Sequence, residues 1–208
     1  MSNSAGFWDR IADKYAARPV DNEEAYQRKL EMTRALFNPE MDIVEFGCGT
    51  GTTALYHAPH VNQVLASDIS ERMIEIAWSK AQAQGIENVM FEVDDIDSHK
   101  PQKNRFGVVM MHSLLHLLKD RRAAIRKAYE MTAPGGYYVT STVCISGIKR
   151  ALAVMIFAMR LFGKAPMVKF FSSKVLVEDM KAAGFAIDTV WQPEGGLAVF
   201  IIAKKPVS

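Results

Sequence analysis

Glycines and carboxylates lie at short, regular spacings in the first half of the chain, and together they suit a polar ligand. An apolar run ends at Glu45 and then breaks into alternate glycines at Gly47, Gly49 and Gly51. Glycine has no Cβ, so such a turn reaches positive φ and lets a ligand lie against its backbone. A helix-compatible segment follows, and a helix N-terminus offers free N–H donors. We therefore interpret this stretch as a strand, a ligand-binding turn and a helix.

Acidic residues end the next two apolar runs. Asp68 lies about 20 residues beyond the first glycines, where a carboxylate at a strand end can reach the hydroxyl groups of a ribose. Asp94, Asp95 and Asp97 cluster at the end of the following run. Structural alternatives exist for both places, because Asp68 could be a plain turn residue and the later cluster a solvated turn.

The spacing of the glycines does not fit the dinucleotide fingerprint. That motif requires glycine at the first, third and sixth positions. Counted from Gly47, the third position is Gly49 but the sixth is Thr52. A nucleotide-dependent oxidoreductase is therefore disfavoured, although nicotinamide binding would restore that hypothesis.

The glycine segment instead resembles the first motif of class I S-adenosylmethionine-dependent methyltransferases, in which this loop wraps the methionine and ribose of the cofactor. Residues 105–120 are similar to the Phe-Asp-x-Val strand and Leu-His-His-Leu-x-Asp segment of that family, with Gly107 in place of the aspartate. Residues 8–15 resemble its Trp-Asp-x-x-Ala-x-x-Tyr pattern, whose tyrosine lies near the methionine end. The resemblance extends from Trp8 to Phe185 and beyond, and favours the small-molecule type.

The same resemblance assigns the acids. Matching Phe91-x-x-x-Asp95-Ile96 to the family's Phe-x-x-Gly-Asp-Ile run selects Asp95 for the exocyclic amine of adenine. Asp94 then occupies the family's glycine position, which leaves the choice between the two acids open. Asp68 is assigned to the hydroxyl groups of the cofactor's ribose, from which it would accept hydrogen bonds.

The resemblance implies S-adenosylmethionine as the cofactor, bound by residues from several segments. They are Tyr15, Glu45, Gly47, Cys48, Gly49, Gly51, Asp68, Ile69, Met73, Asp95, Ile96 and Met111. Tyr15 has two interpretations. Its ring could face the cationic sulfonium as part of a cap, or the aromatic face of the first helix could simply pack on the domain.

His112 directly follows the fourth apolar run and is the candidate catalytic residue, as a general base or a contact to the methyl acceptor. His116 is expected to pack or to hydrogen-bond within the following helix. No cluster has metal-ligand spacing, so no metal is expected. Residues 110–113 read Met-Met-His-Ser, so the Asn/Asp-Pro-Pro-Tyr/Phe signature typical of methylation on adenine or glutamine nitrogens is absent here. Its absence argues against those substrates.

Composition limits the class of protein. The 208 residues suffice for one domain, 1–208, with a full core. The net charge of +2 gives no nucleic-acid signature, and two distant cysteines give no disulfide framework, which favours a reducing cytoplasm. The first residues carry no apolar signal core, and no apolar run is long enough to span a bilayer.

Residues 146–172 form a segment that is apolar, rich in Lys and Arg, and free of acidic residues. A helix that is apolar on every side must bury several faces, so the segment could be ordinary core. The alternative is a lid over the pocket that receives a lipophilic acceptor, with methionines adapting to its shape. Its basic flanks could meet an anionic group or make weak contact with an anionic membrane surface.

Strands and helices alternate along the chain, which predicts an α/β fold. Together with the resemblance, this alternation leads us to expect a Rossmann-like, seven-stranded, mainly parallel sheet with helices on both faces. We also expect an N-terminal helical cap (1–37) and a helical lid insertion after strand 5. Gly195 and Gly196 could reverse the last strand. A second helix is expected at about Glu23 to Phe37, Ser70 is expected to cap a later helix, and residues 133–136 are expected to break the chain before the fifth strand. The expected function is methyl transfer to a small acceptor. A non-catalytic S-adenosylmethionine-binding protein is the alternative, and the oligomeric state is left open.

Overall fold

The computed structural model of the protein describes residues 3–144 and 168–207, which form a seven-stranded sheet in the order β3-β2-β1-β4-β5-β7-β6. The strands are β1 (Asp42–Phe46), β2 (Gln63–Asp68), β3 (Val89–Val93), β4 (Phe106–His112), β5 (Thr132–Val143), β6 (Ala186–Trp191) and β7 (Ala198–Lys204). Strands β1 to β5 pair in parallel, whereas β7 is antiparallel to both of its neighbours. The expected reversal of the last strand is confirmed.

The helices connect these strands and cover both faces of the sheet. They are α1 (Asn3–Ala17), α2 (Glu23–Arg34), α3 (Thr52–His57), α4 (Glu71–Gln84), α5 (Arg121–Met131) and α6 (Ser173–Ala182), with short 3₁₀ helices at Ala58–His60 and Leu115–Leu117. Ser70 caps α4 as the sequence predicts, because its hydroxyl accepts the Met73 N–H at 3.1 Å. In the described part of the chain, no helix combines the length and hydropathy needed to cross a membrane.

Strand alternation divides the core into two parts. Val44, Phe46 and Met111 belong to the cluster under α5 and α6. Ile43 and Met110, one residue away on the same strands, belong to the cluster with α3 and α4. Successive side chains of a strand point to opposite faces, so one sequence run supplies both cores. This is why the central strands read as continuous apolar runs.

Two expectations about element boundaries need correction. Residues 133–136, expected to break the chain before the fifth strand, lie inside β5, where the pairing with β4 shifts register between Phe106 and Val108. A bulge absorbs the extra residues without ending the strand. The second helix ends at Arg34 and not at Phe37. Most of the expected lid, residues 146–167, lies outside the described residues.

Candidate functional site

A cavity of about 1070 Å³ opens at the carboxyl ends of β1 to β4. Parallel strands end at one edge of the sheet, so the turns that follow them meet there. The predicted residues that the structure brings together in its wall are Tyr15, Glu45, Gly47, Cys48, Gly49, Asp68, Ile69, Met73, Asp95, Ile96 and His112. Gly51 and Met111 are absent from this wall.

The glycine loop is pinned to β2 and opens toward the cavity. The amides of Gly47 and Cys48 both donate to the Ser67 carbonyl, at 2.7 and 3.0 Å. Gly47 and Gly49 have φ of 71° and 53°, a region that favours glycine. A Cβ on Gly49 would lie 3.6 Å from the ring of Tyr15. The loop therefore leaves backbone surface available to a ligand on the cavity side.

Glu45 carries a buried carboxyl without a hydrogen-bond partner among the described residues. The residue is 2% exposed, and its Oε2 is fully buried. Burial, and then the nearby Asp68 carboxylate, raise the pKa of Glu45 to about 8. An unsatisfied buried carboxyl is costly, so this group suits a ligand that brings a donor or a positive charge.

Asp68 is held in place by two backbone amides. Its Oδ2 accepts the Gly49 N–H and its Oδ1 the Ser70 N–H, both at 3.0 Å. Burial raises the pKa of Asp68 while these N–H donors oppose the rise. A carboxylate has about four lone-pair positions, so two remain for the vicinal hydroxyls of a ribose.

The loop after β3 distinguishes its two adjacent acids. Both oxygens of Asp94 are engaged, one by the Asp95 N–H at 2.8 Å and the other by His99 Nδ1 at 2.5 Å. Asp95 accepts the Asp97 N–H through Oδ1 at 2.9 Å, and Oδ2 has no hydrogen bond within the described ranges. This geometry favours Asp95 as the acid that remains free for an adenine amine.

Helix α1 is fastened to the start of α4, close to Asp68. Asp9 accepts hydrogen bonds from the Ser70 hydroxyl at 2.6 Å and from the Arg72 amide at 3.2 Å. Arg72 also pairs with Asp13 at 2.8 Å. Tyr15, on the same helix, is thereby held over the glycine loop.

Gly51 and Met111 serve the packing around the site. A Cβ on Gly51 would approach both Ala77 and Phe91 to 2.8 Å, so this glycine lets α3 begin close to α4 and β3. Met111 is fully buried in the core under α5, since it precedes His112 on β4 and points to the opposite face. The structure does not bring either residue to the cavity.

His112 lies in a row of side chains that crosses the sheet. It is the register partner of Ser141 on β5, which in turn pairs with Phe200 on β7. The rings of His112 and Phe200 are parallel, with centroids 6.5 Å apart. Burial, and then the Lys29 cation, lower the pKa of His112 to about 4. The imidazole is therefore neutral near neutral pH and offers one nitrogen as a hydrogen-bond acceptor.

His116 lines the cavity as well, on the 3₁₀ helix Leu115–Leu117. Its Nδ1 lies 3.1 Å from the Thr142 hydroxyl of β5. The hydrogen bond thus goes to the sheet and not within the following helix, because the chain takes a short 3₁₀ turn here before α5.

Three residues near the cavity were not predicted from the sequence. Lys29 of α2 donates to the Ser141 hydroxyl at 3.4 Å, and His99 buttresses Asp94. Helix α2 is charged on several sides, so its sequence does not mark Lys29. A signal for Ser141 did exist, because residues 140–142 are polar at the carboxyl end of a buried strand.

The residues in the cavity fit S-adenosylmethionine. The orphaned Glu45 carboxyl can face its positive charge, the Gly47 and Gly49 turn lines the cavity where its methionine would lie, and Asp68 and Asp95 could receive ribose and adenine. Among the described residues, no group of three or more His, Cys, Asp or Glu side chains could hold a metal ion.

Comparisons with known proteins agree with this geometry. The family model described as a methyltransferase domain matches residues 43–136. YcgJ of Bacillus subtilis, described as an uncharacterized methyltransferase, is 29% identical over 100 residues, 48% of this chain and 40% of YcgJ. The crystal structure of YcgJ superimposes with a TM-score of 0.72 at 17% identity, covering 88% of this chain and 100% of that one.

Two further relatives have named substrates. The 2-heptyl-1-hydroxyquinolin-4(1H)-one methyltransferase of Mycobacteroides abscessus is 30% identical over 103 residues, 47% of this chain and 44% of that protein. The tRNA 5-carboxymethoxyuridine methyltransferase of Escherichia coli is 26% identical over 140 residues, 62% of this chain and 53% of that protein. The chain thus spans about half the length, or less, of the curated relatives it matches. The matched methyltransferase domain, these relatives and the solved fold agree with the cavity described above, and together they support a class I S-adenosylmethionine-dependent methyltransferase.

Proposed function

We propose that this protein transfers a methyl group from S-adenosylmethionine to a small, lipophilic acceptor. The observation that carries the proposal is one cavity whose lining includes Glu45, Asp68 and Asp95, at or just after the ends of β1, β2 and β3, and also His112 and Ser141, which are register partners on β4 and β5. The three acids fit the cofactor, and His112 and Ser141 give the acceptor a polar wall.

When bound, S-adenosylmethionine supplies a methyl group on a positively charged sulfur. The acceptor atom would bond to that methyl carbon while the carbon–sulfur bond breaks, and the electron pair of the broken bond would stay on sulfur. The chain's contribution is to hold the reacting groups in line and to exclude water. His112 is proposed as the acceptor contact. With its pKa lowered to about 4, it is a weak base that serves best as a hydrogen-bond acceptor.

The described lining supports a lipophilic acceptor. Leu114, Leu117, Val168 and Leu197 contribute apolar surface to the cavity. The relative from Mycobacteroides abscessus is named for a heptyl-substituted quinolone, which is lipophilic. The tRNA methyltransferase of Escherichia coli gives the opposing precedent of a polar acceptor.

The predicted lid remains part of this proposal. Its two ends border the cavity, since Val168 lies in the wall and the Cys144 amide donates to the carbonyl of Leu197, another lining residue, at 3.0 Å. The apolar and basic composition of residues 146–172 is the basis for proposing that it covers a lipophilic acceptor and touches an anionic membrane surface.

The proposal is tested in two steps. Calorimetry with S-adenosylmethionine should give saturable binding. The protein with labelled cofactor should then produce S-adenosylhomocysteine and a methylated product from hydrophobic acceptors, identified by mass, with liposome co-sedimentation alongside. Turnover on polar acceptors only would reject the lipophilic assignment. Cofactor binding without product from a metabolite extract would instead favour the alternative, a non-catalytic S-adenosylmethionine-binding protein.

A further inference from the structure

Resting on the proposed function, we propose that Lys29 binds the oxyanion of an acidic hydroxyl on the acceptor, so that the protein is an O-methyltransferase for phenol- or enol-type hydroxyls. Lys29 lies on cap helix α2 and lines the cavity. Its ammonium group reaches the cavity next to Ser141 and on the same side as His112, whose pKa is lowered by burial and then by this cation.

The position of Lys29 is fixed by contacts with the sheet. Its Nζ donates to the Ser141 hydroxyl at 3.4 Å. The neighbouring Arg28 lies over the ring of Trp191, with its guanidinium carbon 4.7 Å from the ring centroid. Trp191 and Ser141 are both register partners of Phe200. Helix α2 therefore places two consecutive cations over one cross-strand row.

Lys29 has no carboxylate partner within the described ranges. Its side chain is part-buried, and burial alone lowers the pKa of Lys29. The nearby titratable groups are His112, which is neutral, and beyond it Glu45, whose carboxyl has a raised pKa. A part-buried ammonium without a counter-ion favours an anionic ligand oxygen, because a charge-assisted hydrogen bond offsets the loss of water.

The surrounding groups specify the kind of anion. The Ser141 hydroxyl can donate a second hydrogen bond to the same oxygen, and the neutral His112 ring, on the register partner of Ser141, lines the cavity beside it. An oxygen conjugated to an aromatic ring or an enol ionises more readily than an alkanol, and so presents the anion that this cation and this donor would bind. Such an oxyanion needs no base. A lone pair of the oxyanion would form the oxygen–carbon bond, and the electron pair of the broken carbon–sulfur bond would go to sulfur. The negative charge of the oxyanion and the positive charge of the sulfonium would thereby both be lost.

The test uses 4-nitrophenol, whose phenolate absorbs visible light, and 4-nitrobenzyl alcohol as a probe without an acidic hydroxyl. Both are titrated into protein saturated with S-adenosylhomocysteine. In the wild type, the bound phenol should have a lowered pKa. Lys29→Met should weaken phenolate binding about tenfold or more, while leaving affinity for the alcohol within about twofold. Lys29→Arg should retain the preference, and Lys174→Met, an exposed lysine on α6, should behave as the wild type.

The second neutral variant, Lys29→Gln, keeps a donor for Ser141 and covers the case in which the Met variant folds poorly. Unchanged phenolate affinity in a neutral variant that still binds S-adenosylhomocysteine would overturn the proposal. An unshifted pKa of 4-nitrophenol in the wild type would do so as well. Failure of the wild type to bind S-adenosylhomocysteine would instead reject the function proposed above.

Discussion

Burial controls the charges of the residues that line the cavity. Glu45 and His112 would both be charged or partly charged in water near neutral pH, yet the pKa of Glu45 rises to about 8 and that of His112 falls to about 4. Both changes favour the neutral form, as desolvation requires. Both side chains are therefore mainly uncharged near neutral pH in the free protein, and a cationic cofactor would restore the charge of Glu45.

The first prediction concerns this coupling at Glu45. Because the carboxyl is protonated below about pH 8 in the free protein, binding of a positive group should release a proton. The affinity for S-adenosylmethionine should rise as pH increases and level off above about 8. Calorimetry in buffers of different ionisation enthalpy measures the released proton. Glu45→Gln should abolish the release; a wild type that releases none would show that Glu45 does not face the positive charge.

The second prediction concerns Asp68. Asp68→Asn keeps a carbonyl oxygen for one backbone amide but removes the charge that the ribose hydroxyls would use. The loss should be about 1.5–3 kcal/mol of binding free energy, or roughly tenfold or more in affinity. Asp68→Ala should cost more, because both the Gly49 and the Ser70 amides lose their acceptor. Calorimetry with S-adenosylmethionine measures both, and equal affinities for wild type and Asp68→Asn would contradict the assignment.

Among the elements, the hydrogen bonds of charged side chains join parts of the chain that are distant in sequence. Lys127 of α5 donates to the carbonyls of Ile96 and Asp97 at 2.7 and 2.8 Å and so anchors the loop that carries Asp95. Asp179 of α6 is buried and accepts hydrogen bonds from Arg121 and Arg122 of α5. The first contact supports the site, and the second supports the face of the sheet away from it.

The third prediction is that the α5–α6 contact stabilises the fold without affecting cofactor binding. Asp179→Ala leaves Arg121 part-buried without its partner, which should lower the free energy of unfolding by about 3 kcal/mol. Glu178→Gln is the matched control, because its ion pair with Lys181 is exposed and should contribute less than about 1 kcal/mol. Urea unfolding measures both. A stability loss for Asp179→Ala no larger than the control's would show that the arginines find other partners.

At the scale of the whole molecule, buried titratable groups limit the pH range of stability. His57 is fully buried, its ring nitrogens lack hydrogen bonds in the described part of the chain, and burial lowers its pKa from 6.5 to about 3. The unfolded chain binds this proton more readily, so His57 makes stability fall as pH drops from about 6.5 toward 3. Glu45 acts in the opposite sense, since its raised pKa removes stability as pH climbs from 4.5 to about 8.

The fourth prediction follows from His57. His57→Phe keeps the edge-to-face contact with Phe37 but cannot take up a proton. Between about pH 4 and 6, the slope of unfolding free energy against pH should fall by roughly 1.4 kcal/mol per pH unit. Urea denaturation at several pH values measures this. Tyr56→Phe, which alters a neighbouring ring, should keep the wild-type slope. Identical slopes for His57→Phe and the wild type would mean that His57 takes up its proton without unfolding.

The sequence by itself determined the order of strands and helices and the reversed last strand, and it selected most of the candidate cofactor residues that the structure brings to the cavity wall. These features depend on local signals: glycine spacing, strand-ending acids and the alternation of apolar runs. It did not place Gly51 or Met111 correctly relative to the cavity. The reason is geometric, since one step along β4 moves a side chain from one face of the sheet to the other.

Only the tertiary structure decided which distant residues meet. Lys29 and Ser141 are 112 positions apart, and their contact depends on how α2 lies across the sheet. The preference for Asp95 over Asp94 as the candidate adenine contact depended on His99, which forms a hydrogen bond with Asp94. The protonation states of Glu45 and His112 were equally hidden, because a pKa is set by desolvation and neighbouring charges. These exist only once the chain has folded around them.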